Sequence, residues 1–336
     1  MSPRVFIVGA TGFVGGDLIA QLTTTHAEYQ LSALVRTPDQ ASALSTKFPS
    51  IRTVIGDFAS REVLLKEASD TDVIVQAANA DDELVTFTLL EGAAGNTTSP
   101  ATYIHISGQA NLIDLAYPLG KAQDRIYGDI DKADDILNLP PYHIHAAIEQ
   151  ATIAKAEILG VRTAIVSLPL MYGLSRGLSP QNPNFRFYID AVLKHGRPFV
   201  VEQGENIQIH THIHDVSSAI ETVIVEAFKG ATGKATWGRD GYYIVESLEE
   251  TFLETAKAVG KVLVSQGMIA SDGIDHLGSD KVGDFWGPGR LVWGASMRSK
   301  AQRLHALGWE PTANVRMRAE DLRAMTEFEM QARKIV

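Results

Sequence analysis

The stretch Arg4-Val5-Phe6-Ile7-Val8-Gly9-Ala10-Thr11-Gly12-Phe13-Val14-Gly15 decides the fold. An apolar run ends directly in glycines at 9, 12 and 15, and a helical pattern follows through Asp17, Leu18, Ile19 and Leu22. A buried strand turning sharply into a helix leaves backbone N–H groups facing outward at the positive end of the helix dipole, a place for a pyrophosphate. In this pattern Gly9 allows the tight turn, Gly12 lets phosphates approach the backbone, and Gly15 lets helix and strand pack closely. Thr11, Phe13 and Val14 share the turn. A glycine triplet alone is weak evidence and fits a merely structural turn. The strand before it and the helix after it favour dinucleotide binding.

Working outward, short apolar runs read as strands at Gln30–Val35, Ile51–Ile55, Asp72–Gln76, Thr102–Ile106 and Arg162–Ser167. Helical patterns separate them at Asp39–Leu44, Arg61–Ala68, Leu84–Ala94 and, over a longer span, about Ile144–Leu159. Strands alternating with helices imply an α/β protein with a Rossmann-type, doubly wound parallel sheet. The 336 residues fit two lobes. The expected division is a dinucleotide-binding domain at 1–168, with 207–245 returning to it, and a smaller mixed C-terminal substrate lobe at 169–206 and 246–336. Ligands of such sheets lie at the carboxyl ends of the strands, which singles out Arg36, Asp57, Ala78-Asn79 and Ser107.

Composition narrows the class. The chain is 45% hydrophobic and 21% charged, as in an ordinary soluble globular protein. Its net charge of −10, with acids and bases interspersed, argues against nucleic acid or an anionic membrane as partner. The absence of cysteine excludes disulfides and thiolate chemistry and suits a reducing compartment. The first strand starts almost at once, leaving no room for a signal peptide, and no apolar stretch approaches the 18 or more residues of a membrane span. The expectation is a cytoplasmic protein in which the sequon Asn96-Thr97-Thr98 is incidental.

Arg36 bears on the choice of nucleotide. NAD-preferring sites place Asp or Glu after the second strand, to accept from the ribose 2′-hydroxyl. Here that position reads Val35-Arg36-Thr37-Pro38, without an acid. A guanidinium binds a 2′-phosphate in a bidentate manner, worth roughly 1.5–3 kcal/mol. The cofactor expected is NADP(H); the plain alternative is a solvated arginine at a strand end.

With these pieces in order, the chain resembles the extended short-chain dehydrogenase/reductases, and within them an atypical branch common in fungi. The resemblance spans most of the chain. It rests on Gly9-x-x-Gly12-x-x-Gly15, on Gly56-Asp57 and on Ala77-Ala78-Asn79. Leu168-Pro169-Leu170-Met171-Tyr172-Gly173, the run Ile209 to Val216, and Leu307-Gly308-Trp309-Glu310-Pro311 continue it. The resemblance implies that Asp57 lies near the adenine, Ala78 near the adjoining ribose and Pro169 near the nicotinamide.

The catalytic part departs from that pattern. Family reductases use a Ser or Thr after the fifth strand and a Tyr-x-x-x-Lys on the next long helix, the tyrosine moving the proton while hydride moves at the nicotinamide. Ser107 fills the first role. The helix, however, reads Pro140-Pro141-Tyr142-His143-Ile144-His145-Ala146-Ala147-Ile148-Glu149. Matching Glu149 to the acid after the family motif sets Pro141 at the tyrosine and His145 at the lysine, with Tyr142 one residue off. Tyr142 and His145 are therefore the candidates for proton transfer. The other Tyr-x-x-x-Lys, Tyr117 to Lys121, comes too early and contains Pro118 and Gly120, which disfavour a helix. His210, His212 and His214 alternate, so on a strand they face one side. That arrangement could hold a metal, but the family's strand entering a helix at Asp215 explains it as well, and no metal is expected.

Beyond Met171 the pattern loosens. Leu174 to Asn184 reads as a loop over the cofactor crevice, Phe185–Leu193 and Glu249–Val264 as helices, and Glu320–Lys334 as an amphipathic helix that is either solvated or used in a homodimer contact. Phe285, Trp286 and Trp293 fall among glycines and either line an apolar pocket or fill the core of the lobe. These features lead first to an NADP(H)-dependent oxidoreductase acting on a small or medium organic carbonyl, alcohol or imine, with an apolar or aromatic body. The rivals are a non-redox enzyme of the same fold that retains NADP (an isomerase, cyclase or dehydratase) and an NADP-sensing regulator.

Overall fold

The computed structural model describes residues 2–96, 99–312, 317 and 319–334; Thr97 and Thr98 of the sequon lie outside them. The chain opens as β1 (Arg4–Val8), α1 (Phe13–Thr25), β2 (Gln30–Val35), α2 (Pro38–Lys47), β3 (Arg52–Ile55), α3 (Arg61–Ser69), β4 (Val73–Gln76), α4 (Glu83–Ala94) and β5 (Thr102–Gly108). A short strand β6 (Tyr127–Gly128) and helix α5 (Ala133–Leu137) lead to α6 (Ala146–Leu159) and β7 (Thr163–Leu168). Then come β8 (Leu170–Tyr172), α7 (Pro183–His195), β9 (Phe199–Val201), β10 (Ile207–His212), α8 (Ile213–Phe228), β11 (Tyr242–Ile244), β12 (Leu248–Thr251) and α9 (Phe252–Ser265). Last are β13 (Asp275–Leu277), α10 (Ser279–Gly283), α11 (Gly289–Val292), β14 (Ser299–Lys300), α12 (Gln302–Ala306) and α13 (Ala319–Lys334).

Seven strands form one sheet in the order β11-β7-β5-β4-β1-β2-β3. Every pairing in it is parallel. Alternate residues of β1 show why the run is apolar throughout. Val5 and Ile7 point into a core shared with α1 and α8, while Phe6 and Val8 point into another beneath α3 and α4, and all four are fully buried. The sheet is therefore doubly wound, a Rossmann-type α/β fold, and its strand order reverses between β1 and β4. That reversal opens the crevice where ligands of such folds bind.

A third core gathers α7, β9, α9 and the aromatic residues around Trp293. It is accompanied by a mixed sheet β12-β10-β8 and the pair β13-β9, while β14 pairs with β6. Trp293 is 2% exposed, so it belongs to this core, with Phe285 and Trp286 packed against it. The segment 278–294, which carries these aromatics among its glycines, holds the short helices α10 and α11.

Two boundaries differ from expectation for local reasons. The helix expected from Ile144 begins at Ala146, because His145 adopts a left-handed backbone with φ +67°. The helix expected from Glu249 begins at Phe252, because Leu248–Thr251 pairs antiparallel with β10 and Thr251 and Glu254 form a capping box.

Candidate active site

The glycine turn brings β1 and β4 into contact. Gly9 has φ +92°, and a Cβ there would lie 2.6 Å from the carbonyl carbon of Ala77. A Cβ on Gly15 would lie 2.4 Å from the Gly9 oxygen, which explains why helix and turn tolerate no side chain at that point. Gly12 caps α1 without a side chain, and no acid occupies the first turn. The end of the helix is left with positive character.

A cavity of about 870 Å³ extends from this turn along the ends of β2, β3 and β4. Gly9, Thr11, Gly12, Phe13 and Val14 form its floor, and Arg36, Asp57, Ala78 and Asn79 follow along its length. Gly15 lies behind the turn, outside the lining. The Arg36 side chain is exposed and forms no ion pair with a described residue. One carboxylate oxygen of Asp57 accepts from Ala59 N–H and Ser60 Oγ, hydrogen bonds that draw the carboxyl below its ordinary value. Size and cradle suit a dinucleotide.

The segment after β8, expected as a loop over the crevice, reaches this cavity at Asn182, and Pro183 and Asn184 at the start of α7 line it too. An ion pair between a partly exposed arginine and a buried carboxylate holds the loop down. Arg176 Nη2 lies 2.7 Å from Asp17 Oδ2 on α1, and Ser217 Oγ donates to the same oxygen. Burial raises the Asp17 carboxyl, but these bonds outweigh it and the net shift is downward. Ser179 Oγ adds a bond to the Thr11 carbonyl at 2.7 Å.

A second cavity, about 310 Å³, continues from the first past Val14, Ala78 and Met171. Ser107, His145 and Pro169 line it. His145 Nδ1 pairs with Asp81 Oδ1 at 2.8 Å, and its Nε2 faces the end of β5, 3.2 Å from the position of a Cβ on Gly108. Asp81 thus fixes the ring and leaves Nε2 for the cavity, the arrangement a proton donor needs.

Ser107 is 5% exposed and donates to Glu149 Oε1 at 2.5 Å. Asn111 Nδ2 donates to Glu149 Oε2 at 2.9 Å, and the Tyr242 hydroxyl approaches from β11. Burial pushes the Glu149 carboxyl up to about 8, against the pull of these three donors. A protonated Glu149 donates to the Ser107 oxygen and frees the serine O–H for the cavity. An ionised Glu149 takes that proton for itself.

Tyr142 does not join this group. Its side chain is 72% exposed, stacked on His143 and outside the lining of both cavities, because the left-handed step at His145 ends the helix before reaching it. His143 Nδ1 bonds to the Asn111 carbonyl instead of lining the cavity. Tyr117 donates to the Ala122 carbonyl and Lys121 pairs with Glu205, so that motif is a surface loop. His210 and His212 share a face of β10, whereas His214 lies on α8, where His212 caps it. Among the described residues no group of three or more acids and histidines could hold a metal, and no helix is long and apolar enough to cross a membrane. Sequence reasoning missed Asp81, Asn111 and Tyr242, and used Glu149 only as a marker of register.

Comparison with known proteins agrees with this geometry. Residues 9–116 match a family model described as NAD(P)H-binding. An oxidase, ucsJ, from an Acremonium species is 27% identical over 325 residues, covering 93% of both chains. The fold is similar to that of DesIV, a dTDP-glucose 4,6-dehydratase from Streptomyces venezuelae solved with NAD, with a TM-score of 0.68 at 18% identity and 98% of both chains covered. It is also similar to a UDP-glucose 4-epimerase from Thermotoga maritima, with a TM-score of 0.66 at 12% identity, covering 98% of this chain and 99% of the other. The resemblance read from the sequence is borne out: an NAD(P)H-binding segment lies within a chain that has the fold of the extended short-chain dehydrogenase/reductases.

Proposed function

We propose that this protein is an NADP(H)-dependent oxidoreductase acting on a small or medium organic carbonyl, alcohol or imine. The observation that carries the proposal is the junction of two cavities: one built for a dinucleotide, the next lined by Ser107 and the Asp81-oriented His145. In this reading residues 1–168 and 207–245 hold the cofactor, and 169–206 with 246–336 close over the substrate. Gly9, Thr11, Gly12, Phe13 and Val14 receive the pyrophosphate, with Gly15 keeping α1 close behind them. Arg36 binds the 2′-phosphate, Asp57 lies beside the adenine, and Ala78 and Asn79 lie along the adjoining ribose. Pro169 backs the nicotinamide. When bound, the cofactor supplies or takes up a hydride at C4 of that ring.

His145 Nε2 then gives a proton to the substrate oxygen or nitrogen, or receives one in the reverse direction, and Ser107 holds the same atom through its O–H. Tyr142 has no part in this assignment, given its exposure. The test is titration with NADPH and NADH followed by a substrate screen with NADPH deuterated at C4. Selective NADPH binding and deuterium in the product support the proposal. Turnover without deuterium transfer would favour a non-redox enzyme that retains NADP, a reading supported by the lack of any tyrosine or lysine among the described residues that line the second cavity.

A further inference from the structure

Glu149 is a carboxyl that the fold seals in without a fixed cation. It is 4% exposed, and among the described residues no lysine or arginine pairs with it. Ser107 from β5, Asn111 just beyond that strand and Tyr242 from β11 meet its oxygens. Asp81 adds negative charge, and His145 stands at the start of the same helix. Taking a carboxylate out of water for neutral hydrogen bonds alone favours the uncharged form. Burial here outweighs the three donors and lifts the carboxyl to about 8.

The partners fix where the proton sits. Asn111 Nδ2 donates to Glu149 Oε2 and to the Tyr242 hydroxyl, both at 2.9 Å. An amide nitrogen cannot accept, so Oε2 stays a receiving oxygen and a proton on the carboxyl belongs to Oε1. Oε1 faces Ser107 Oγ at 2.5 Å, with the Tyr242 hydroxyl farther off at 3.4 Å. A protonated Glu149 therefore donates to Ser107, whose own hydrogen has to turn elsewhere. Ser107 lines the second cavity, and its hydroxyl has no other hydrogen-bond partner among the described residues. Once Glu149 is ionised, Ser107 donates to Oε1 and can only accept from the cavity.

We propose that Glu149 is a positioning residue that sets the hydrogen-bond polarity of Ser107: protonated, it makes the serine a donor to the substrate oxygen, and ionised, it leaves the serine an acceptor only. The inference rests on the proposed oxidoreductase reading for the reaction itself. In carbonyl reduction the carbonyl carbon receives the hydride from NADPH and the oxygen receives a proton from His145 Nε2, giving the alcohol and NADP+. Ser107 and Glu149 transfer nothing. Negative charge develops on that oxygen and is stabilised by a fixed donor, so reduction runs on the protonated form of Glu149.

Glu149→Gln is the informative variant. With Asn111 donating on one side, the glutamine oxygen takes the Oε2 place and its amide nitrogen donates to Ser107 at every pH. The first measurement needs no substrate: the infrared band of the protonated carboxyl, followed from pH 6.5 to 9.5 and identified by subtracting the variant. The wild type should show the band at the low end and lose it with a midpoint near 8. Ser107→Ala and Asn111→Ala each remove a donor that favours the carboxylate, so each should raise the midpoint by about one pH unit. No band at pH 6.5, or a midpoint that neither variant moves, would overturn the proposal, whether or not Glu149→Gln folds. The second measurement is NADPH-dependent reduction of a carbonyl from the deuterium screen over the same range. The ratio of kcat/KM in Glu149→Gln to that in the wild type should be constant below pH 7 and rise about tenfold per pH unit above 8. In a Ser107→Ala background the ratio should be flat. A flat ratio in the wild-type background is what a merely structural glutamate gives, and it would also overturn the proposal. If no carbonyl is reduced, the oxidoreductase reading fails, while the infrared titration still decides whether Glu149 holds a proton for Ser107.

Discussion

Ser107 Oγ lies 2.5 Å from Glu149 Oε1, a contact between the end of β5 and the first turn of α6 that is sealed from solvent. Asn111 and Tyr242 close the carboxyl off from the other side, His145 precedes it on the same helix start, and Asp81 adds negative charge nearby. Burial therefore favours a protonated Glu149 up to about pH 8 in the folded protein, whereas the unfolded chain releases that proton near the ordinary glutamate value of 4.5. The sign follows from linkage. Between these limits the native state binds more protons, so stability falls as pH rises through the window and levels off above about 8.

Glu149→Gln keeps the shape and removes the titration. Between pH 5 and 8 the wild type should lose stability relative to this variant, on the order of 3 kcal/mol. Urea unfolding at a series of pH values measures the difference. Parallel pH profiles for the two proteins would show that Glu149 is not held protonated.

The Asp17–Arg176 pair predicts a coupling between the covering loop and the fold. Arg176→Ala leaves a fully buried carboxylate with the backbone N–H of residue 176, Ser217 and the distant His214 to meet it. Removing one member of such a pair costs about 3–5 kcal/mol when both are buried; with Arg176 partly exposed we expect about 2–3. Because the Asp17 carboxyl is drawn below its ordinary value, that contribution is present above pH 4 and lost as pH falls below it. Thermal unfolding of the variant, with and without NADPH, measures both effects. An unchanged transition would mean the pair is only a surface contact.

These two networks show what a sequence makes legible and what it hides. The dinucleotide turn could be read because its parts are contiguous: strand, glycines and helix occupy Arg4 to Thr25. The arginine after β2 and the acid after β3 could be read because a parallel sheet presents strand ends on one edge. Glu149 could not, since a glutamate on a helix ordinarily faces water, and what buries it is Tyr242, 93 residues later. A signal did exist: Ala146, Glu149, Thr152 and Ala156 share one buried stripe at helical spacing. Asp81 and His145 meet across 64 residues, with nothing local to suggest it. The left-handed step at His145 had only a weak marker, since histidine is enriched at positive φ but adopts it far less often than glycine. That step turned the expected tyrosine outward.

The Asp81–His145 pair leads to a kinetic prediction. With Nδ1 bound to the carboxylate, the imidazole keeps Nε2 toward the cavity. Asp81→Asn preserves the contact but not the charge, and His145→Ala removes the proton donor. On any substrate found in the screen, His145→Ala should lower kcat by about 10²–10⁴-fold and Asp81→Asn by less, with NADPH affinity nearly unchanged in both. Tyr142→Phe should match the wild type. A normal rate in His145→Ala would remove the histidine from the mechanism.

Arg36 supplies the most direct test of the cofactor. Its backbone N–H is fixed by Gln40 Oε1 at 2.9 Å, so the residue is anchored while its guanidinium remains without an ion pair among the described residues. The neighbouring acid, Asp57, has one oxygen committed to its own turn and lies at the end of β3, beyond the strand that carries Arg36. A 2′-phosphate at this rim would meet a cation, and a 2′-hydroxyl would meet no carboxylate on β2. Arg36→Ala should therefore weaken NADPH by about ten- to a hundredfold, the equivalent of one charge-assisted contact, and leave NADH almost as it was. Fluorescence titration of both nucleotides reads this directly. Equal losses would mean that Arg36 acts on a feature both nucleotides share, and that the 2′-phosphate is recognised elsewhere.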